Sequence, residues 1–140
     1  MIVADTDVLI DALRGRRPLA RRIAEAIEHG ELATTVLSAF ELLSGSGVRE
    51  EEARRRVEDL LGALTVVALD PAAATLAAAL RRELEARGET IGLADYLIAG
   101  ICLAHSASLM TRNRRHFGRV PGLRLAPADD DAGEPGPEGG

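Results

Sequence analysis

The chain has 140 residues and a net charge of −5, which predicts one domain with a core that buries about 70% of the unfolded surface. A single cysteine, Cys102, excludes an internal disulfide and a cysteine-rich zinc site, and an aromatic content of 2% argues against recognition of nucleic acid mainly by base stacking. The sequence shows neither a basic-plus-apolar leader nor a run of about 18 apolar residues, so we expect a cytoplasmic protein that does not enter a membrane.

Short apolar or β-branched runs alternate with longer amphipathic segments, which predicts strands alternating with helices. The predicted strands are residues 2–4, 32–34, 65–69, 108–111 and, as a fifth candidate, 123–125. The predicted helices are residues 8–13, 18–30, a segment capped by Thr35 or Ser38 that ends at Gly45 or Gly47, 49–61, 71–87 and 93–105. This alternation predicts an α/β domain with a mainly parallel sheet of four to five strands and helices on both faces.

Charge divides the chain into two parts. Five of the 22 acidic residues lie in residues 129–140, so residues 1–128 are formally neutral. We predict one folded domain over residues 1–126 and a disordered acidic tail, rich in Gly and Pro, over residues 127–140.

Three carboxylates, Asp5, Glu41 and Asp95, occur in apolar segments that are far apart in the sequence. Asp5 and Asp7 follow the first strand, Glu41 lies in the helix after the second, and Asp95 opens the most apolar helix. Asn113 follows the fourth strand. Because ligands of parallel sheets bind beyond the carboxyl ends of the strands, we expect these side chains at one edge. Oxygen ligands without paired Cys or His favour Mg²⁺ or Mn²⁺ over zinc.

Most of these acids also have a purely structural interpretation. Asp5 can cap the first helix, and Asp95 can be stabilised by the helix dipole in a first turn. Glu41 together with Ser38 matches a capping box, in which the carboxylate reaches back to a backbone N–H. Asp11, one turn after the first motif, is expected on an exposed helix face.

Basic residues are all arginine, with no lysine in the chain. A stretch without acids follows the fourth predicted strand and contains Arg112, Arg114, Arg115, Arg119 and Arg124. This stretch could hold a phosphate backbone or be an ordinary solvated loop. The missing lysine argues against phosphatases of the haloacid dehalogenase type and against receiver domains, which also carry Asp-x-Asp after a strand but usually use a Lys beside the phosphoryl group.

Four segments, taken in order, resemble the PIN-domain ribonucleases and, more narrowly, the VapC toxins of type II toxin-antitoxin systems. The segments are Asp5–Asp11, Ser38–Leu42, Asp95–Ala99 and Thr111–Phe117. Their order and spacing agree with that family from Met1 to Leu125. The resemblance implies a PIN-like three-layer α/β/α sandwich and an endoribonuclease that hydrolyses RNA with a metal-activated water.

The resemblance also implies roles for particular residues. Asp5, Glu41 and Asp95 would be catalytic and would bind Mg²⁺ or Mn²⁺, with Asp7 and Asn113 as further ligands. The residues expected to contact the RNA are Arg112, Arg114, Arg115 and His116. A homodimer and a cognate VapB-type antitoxin that blocks the acidic site are also implied. Asn113 lies where some members have a fourth acid, which keeps open the alternative of a catalytically weak regulatory or RNA-binding module.

Overall fold

The computed structural model describes residues 1–45 and 48–128. In this part of the chain the strands are β1 (Ile2–Ala4), β2 (Leu32–Thr35), β3 (Thr65–Val67), β4 (Ser108–Met110) and β5 (Leu125–Ala126). The helices are α1 (Thr6–Leu13), α2 (Leu19–Glu28), α3 (Val36–Ser44), α4 (Glu51–Gly62), α5 (Pro71–Arg87), α6 (Leu93–Ala104) and α7 (Arg114–Phe117). Only α7 was not predicted, because four residues are too few to show a helical period.

The strands form one sheet in the order β3-β2-β1-β4-β5, and every neighbouring pair is parallel. The first strand of the chain therefore lies at the centre of the sheet. Val3 is in register with Ala33 of β2 on one side and with Leu109 of β4 on the other. The predicted parallel α/β architecture is confirmed.

Successive strand residues point to opposite faces of the sheet, and each face is covered by helices. Val3 and Leu109 belong to an apolar cluster that includes the buried residues of α5 and α6. Their neighbours Ala4 and Met110 belong to a second cluster, which includes the buried residues of α1 and α2. Two cores on either side of one sheet make the predicted three-layer sandwich.

Two helix starts show how local sequence sets the element boundaries. Thr35, and not Ser38, caps α3, since Thr35 Oγ1 accepts a hydrogen bond of 3.1 Å from the Ser38 backbone N–H. Asp70 caps α5 through a 2.9 Å bond from the Ala73 N–H, and Pro71 is the first helical residue, as predicted. Each of these helices thus begins where a side chain can accept a hydrogen bond from a free backbone N–H of the first turn.

The described part of the chain ends at residue 128, two residues after the predicted domain boundary. Ala128 is still buried, in the same apolar cluster as Ala126, so the packed part of the domain extends past residue 126. The remainder of the predicted acidic tail, residues 129–140, and the alternative helix end at Gly47 lie outside the described residues. Within residues 1–45 and 48–128, no helix has the length and apolar character needed to cross a membrane.

Helices α5 and α6 approach closely at Gly100. A Cβ placed on Gly100 would lie 2.5 Å from the carbonyl oxygen of Ala73 and 2.8 Å from Cβ of Ala77. The first contact is with backbone, which cannot move aside as a side chain can. Glycine is therefore required here by the spacing of the two helices.

We expect Gly100→Ala to lower the free energy of unfolding by about 1–3 kcal/mol, because α5 and α6 must separate to admit the methyl group. Gly62→Ala is the matched control, since a Cβ at Gly62 meets nothing within 4 Å. That variant should be unchanged or more stable by up to about 1 kcal/mol. Urea unfolding of both variants measures the difference, and equal stabilities would contradict the close packing of α5 on α6.

Candidate active site at the carboxyl edge of the sheet

The side chains at the carboxyl end of the sheet come from the first residues after the strands. Asp5 follows β1 and caps α1 through a 2.8 Å bond from the Thr6 N–H to Oδ1. Thr35 ends β2, and Thr111 follows β4. All of Asp5, Thr35 and Thr111 are buried. The parallel strands thus bring polar groups from distant parts of the chain to one edge, as ligand sites in such sheets require.

Asp5 is the best-supported side chain of this edge. The Thr111 hydroxyl donates a 2.7 Å hydrogen bond to Asp5 Oδ2 and in turn accepts a 3.0 Å bond from the Asn113 N–H. Burial raises the pKa of Asp5 to about 6, and the charges of Asp7 and Asp95 add to this, against the lowering effect of the Thr111 and Thr6 hydrogen bonds. A positively charged group beside Asp5 would lower this pKa.

Glu41 is oriented toward the site rather than toward its own helix end. Because Thr35 caps α3, Glu41 falls in the second turn, and the capping-box interpretation with Ser38 is wrong. Glu41 Oε1 instead accepts a hydrogen bond from the hydroxyl of Thr6, the residue next to Asp5. A single threonine therefore joins the start of α1 to α3.

Asp95 lies in the first turn of α6 and is connected to α7. Its Oδ2 is 3.4 Å from Nδ1 of His116, and the same nitrogen is 3.1 Å from Nδ2 of Asn113. The Asp95 side chain is 21% exposed, so an incoming group can reach it. Asn113 is thus linked indirectly to both acids. Its backbone N–H bonds Thr111, which bonds Asp5, and its side chain contacts His116, which lies next to Asp95.

Asp7 and Asp11 lie on one face of α1, and both contact Arg112. The Arg112 N–H donates a 3.2 Å bond to Asp7 Oδ2, whereas Asp7 Oδ1 is buried without a hydrogen-bond partner among the described residues. Burial also raises the pKa of Asp7. The prediction that Asp11 is exposed is wrong: Asp11 is buried and pairs with Arg16 and Arg112.

Most arginines of the basic stretch are engaged within the protein. Arg112 pairs with Asp11, and Arg114 Nη1 is 3.4 Å from the carbonyl oxygen of Ala126. Arg119 and Arg124 donate to the backbone oxygens of Thr90 and Ser106. Arg115 is exposed and makes no ion pair with the described residues. The RNA contacts expected of Arg112, Arg114, Arg115 and His116 stay predictions.

The donor atoms of this edge suit a hard divalent cation. In the described part of the chain, no three acidic, His or Cys side chains are close enough to form a ready-made metal cage. The unpartnered Oδ1 of Asp7 and the raised pKa of Asp5 nevertheless indicate uncompensated negative charge. Carboxylate oxygens from Asp5, Glu41 and Asp95 are the ligands that Mg²⁺ and Mn²⁺ prefer.

Comparison with known proteins agrees with this geometry. The family model of the PIN domain matches residues 2–123. The chain belongs to the PIN domain family. Among PIN domain proteins it is 35% identical to ribonuclease VapC19 from Mycobacterium tuberculosis, over 89% of this chain and 98% of the relative. It is 29% identical to the tRNA(fMet)-specific endonuclease VapC of Shigella flexneri, over 86% and 92% of the two chains. The predicted resemblance to VapC ribonucleases is confirmed.

The fold of this PIN domain is shared with solved toxin-antitoxin complexes. It superimposes on a chain of VapBC2 from Rickettsia felis, bound to a promoter DNA fragment, with a TM-score of 0.82 and 25% identity, over 90% of this chain and 98% of that one. Superposition on a chain of DNA-bound VapBC from Salmonella typhimurium gives a TM-score of 0.78, over 89% of this chain and 96% of that one. The predicted PIN-like sandwich is therefore confirmed by structure as well as by sequence.

Sequence reasoning missed two residues of the site. Thr6 gave no signal, because its role depends on Glu41, which is 35 residues away. Asp11 gave a partial signal, since it is four residues after Asp7 and therefore on the same helix face. Its pairing with Arg112 was not visible in the sequence.

The raised pKa of Asp5 predicts that the free energy of unfolding of the metal-free protein depends on pH. Its pKa in the folded state, about 6, is above the ordinary value of 3.8, so folding favours the protonated form. The stabilising contribution is present below about pH 4 and is lost as the pH rises through about 6. Relative to wild type, Asp5→Asn should therefore gain up to about 3 kcal/mol between about pH 4 and pH 7.

Urea unfolding in EDTA at both pH values measures this gain. Asp59→Asn serves as the control, because it removes one carboxylate from an exposed position on α4. A pH-independent difference for Asp5→Asn would contradict the raised pKa.

Proposed function

We propose that this PIN domain is a divalent-metal-dependent endoribonuclease and acts as the toxin of a type II toxin-antitoxin pair in the cytoplasm. The main support is that Glu41 is hydrogen-bonded to Thr6, the residue next to Asp5, and that the charge of Asp95 acts on Asp5. Alignment with VapC ribonucleases over most of the chain supports the same conclusion.

In this proposal Asp5, Glu41 and Asp95 hold Mg²⁺ or Mn²⁺, with Asp7 and Asn113 as additional ligands. When bound, the ion neutralises charge on the scissile phosphate and makes a water molecule more acidic. The buried, unpartnered Oδ1 of Asp7 supports its inclusion. Asn113 contributes an amide without charge, so the site carries four carboxylates rather than five.

The surrounding hydroxyls orient the carboxylates for this task. Each oxygen of Asp5 accepts one hydrogen bond, from the Thr6 N–H or from the Thr111 hydroxyl. A carboxylate oxygen can accept a second interaction, so both oxygens keep a position for a ligand. The Thr6 hydroxyl fixes the direction of Glu41. These contacts reduce the rearrangement needed when substrate binds.

RNA would be bound through its phosphates by the basic residues of the loop after β4 and of α7. Arg112, Arg114, Arg115 and His116 are the proposed contacts, and their contribution should weaken with salt. His116 adjoins Asp95, so a phosphate near the acidic site lies within its reach. Because relatives from two bacteria are named tRNA(fMet)-specific endonucleases, tRNA(fMet) is the first RNA to test.

A VapB-type antitoxin and a second copy of the chain are the proposed protein partners. Similar solved structures are VapBC complexes. An exposed apolar row on α3 also supports a protein contact, since Val36, Phe40 and Leu43 are spaced along one helix face and Phe40 is 67% exposed. Phe40 of this row is next to Glu41 in the sequence, so a partner bound there would lie close to the acidic site.

A catalytically weak regulatory or RNA-binding module is the second candidate function. Asn113 favours it, because an amide holds a metal less strongly than the fourth acid found in some related proteins. The absence of a ready-made cage among the described residues also favours it. Metal affinity and turnover decide between the two functions.

We expect purified protein to cleave RNA with Mg²⁺ or Mn²⁺, to lose activity in EDTA, and to lose more than about 100-fold on Asp95→Asn. Asp59→Asn should behave as wild type, because it removes the same charge from an exposed position on α4. Calorimetry with Mn²⁺ should show weaker binding only for Asp95→Asn. Cleavage that persists equally in EDTA and in Asp95→Asn would exclude the metal-nuclease function.

Expression of the gene should arrest growth, and co-expression of a short neighbouring reading frame should relieve the arrest. The reason is that a bound antitoxin covers the acidic site. Asp95→Asn should be harmless at equal expression, measured by colony counts and immunoblot. Growth arrest by Asp95→Asn as strong as by wild type would argue against toxicity through RNA cleavage.

A further inference from the structure

Asp11 is the buried acid of α1 that the proposed function leaves unexplained. Its side chain is 8% exposed, with Oδ1 3.1 Å from Nη1 of Arg16 and Oδ2 2.6 Å from Nε of Arg112. A buried carboxylate is tolerated when such partners satisfy it. Arg16 is close in the chain, whereas Arg112 comes from the loop after β4.

Arg112 is attached to α1 at two points. Its guanidinium pairs with Asp11, and its backbone N–H donates a 3.2 Å bond to Oδ2 of Asp7. Asp7 and Asp11 are four residues apart and therefore adjacent on one helix face. Together the two contacts fix both the backbone and the side chain of Arg112 relative to α1.

The residues on either side of Arg112 belong to the acidic site. Thr111 donates to Asp5, and Asn113 contacts His116, which adjoins Asp95. Consecutive Cα atoms are about 3.8 Å apart, so the backbone of Arg112 cannot move away from α1 without displacing Thr111 or Asn113. The position of Arg112 thus determines where two site residues lie.

We infer that Asp11 is a positioning residue of the nuclease, which holds the Arg112 guanidinium on α1 and thereby fixes Thr111 and Asn113 beside Asp5. The inference rests on the proposed function. Under it, Arg112 supports the loop and does not contact the RNA backbone, so the inference removes Arg112 from the RNA contacts proposed above. Arg115, which is exposed and outside the ion pairs of the described residues, contacts the phosphates.

Charge burial favours this assignment. If Arg112 moved to a phosphate, the Asp11 carboxylate would keep only Arg16, whose side chain is 57% exposed. The Asp11 side chain is 8% exposed and that of Arg112 43%, so loss of Arg112 takes one of two partners from a carboxylate that stays buried. Arg115 makes no ion pair with the described residues, so its binding to RNA would leave no buried carboxylate without a partner.

Steady-state cleavage of tRNA(fMet) with Mn²⁺ tests the effect on turnover. In Asp11→Asn and in Arg112→Gln, kcat should fall about tenfold, as is typical for residues that orient ligands, and KM should stay nearly constant. The double variant should be no slower than either single variant, since both changes remove the same contact. Arg16→Gln, which removes the other ion pair of Asp11, is the matched control and should keep the wild-type kcat.

Binding of fluorescein-labelled tRNA(fMet) in EDTA tests whether Arg112 contacts RNA. Arg115→Gln should lower the slope of log affinity against log salt by about 0.7, whereas Arg112→Gln should leave it unchanged. A third measurement needs neither RNA nor metal: the NMR amide signals of Thr111 and Asn113 should shift in Asp11→Asn and stay in place in Arg16→Gln. Thermal denaturation checks that each variant is folded. If Asp11→Asn does not fold, Arg112→Gln tests the same contact in its place.

A wild-type kcat in both Asp11→Asn and Arg112→Gln overturns the inference, as does a salt slope for Arg112→Gln that falls as far as for Arg115→Gln. An equal loss of kcat in Arg16→Gln would also overturn it, since the role of Asp11 would then be general stabilisation of α1. If the wild type itself cleaves no RNA, the proposed function fails, and the NMR signals alone decide whether Asp11 positions the loop.

Discussion

The concentration of carboxylates at the carboxyl edge of the sheet is the constraint on which the rest of this site depends. Asp5 is buried, and the charges of Asp7 and Asp95 oppose its ionisation. Hydrogen bonds from Thr6 and Thr111 offset part of this cost but do not remove it. The ionised form of Asp5 therefore carries an electrostatic cost that a nearby divalent cation would remove. Under the proposed function, the same negative charge that would hold the ion lowers the stability of the protein without it.

The fold could be predicted closely because its signals are local. Short β-branched runs gave the strands, and Asp70 followed by Pro71 gave the start of α5, since both depend on residues within one turn. Local sequence could not decide whether Thr35 or Ser38 caps α3. The choice depended on where β2 ends, and strand pairing with β3 extends to Thr35. That one residue decided whether Glu41 turns back to its own helix or toward Thr6.

The acids of the site could be predicted from their apolar surroundings, whereas their partners could not. Asp11 was expected to be exposed because neighbouring sequence offers no reason for burial; its partner Arg112 is about one hundred residues away. The same limit affects the arginines, which resemble a continuous basic surface in the sequence. In the structure most of them donate to backbone oxygens or pair with Asp11. A guanidinium has five donors, so it can join loops in a way that lysine cannot.

The position of the first strand at the centre of the sheet has a consequence for synthesis of the protein. β1 pairs with β4, and the hydrogen bond from Thr111 to Asp5 spans 106 residues of sequence. A growing chain that has not yet extended past β4 lacks both the strand that supports Asp5 and the loop that orients it. The carboxyl edge of the sheet around Asp5 is therefore completed only when almost the whole domain has been synthesised.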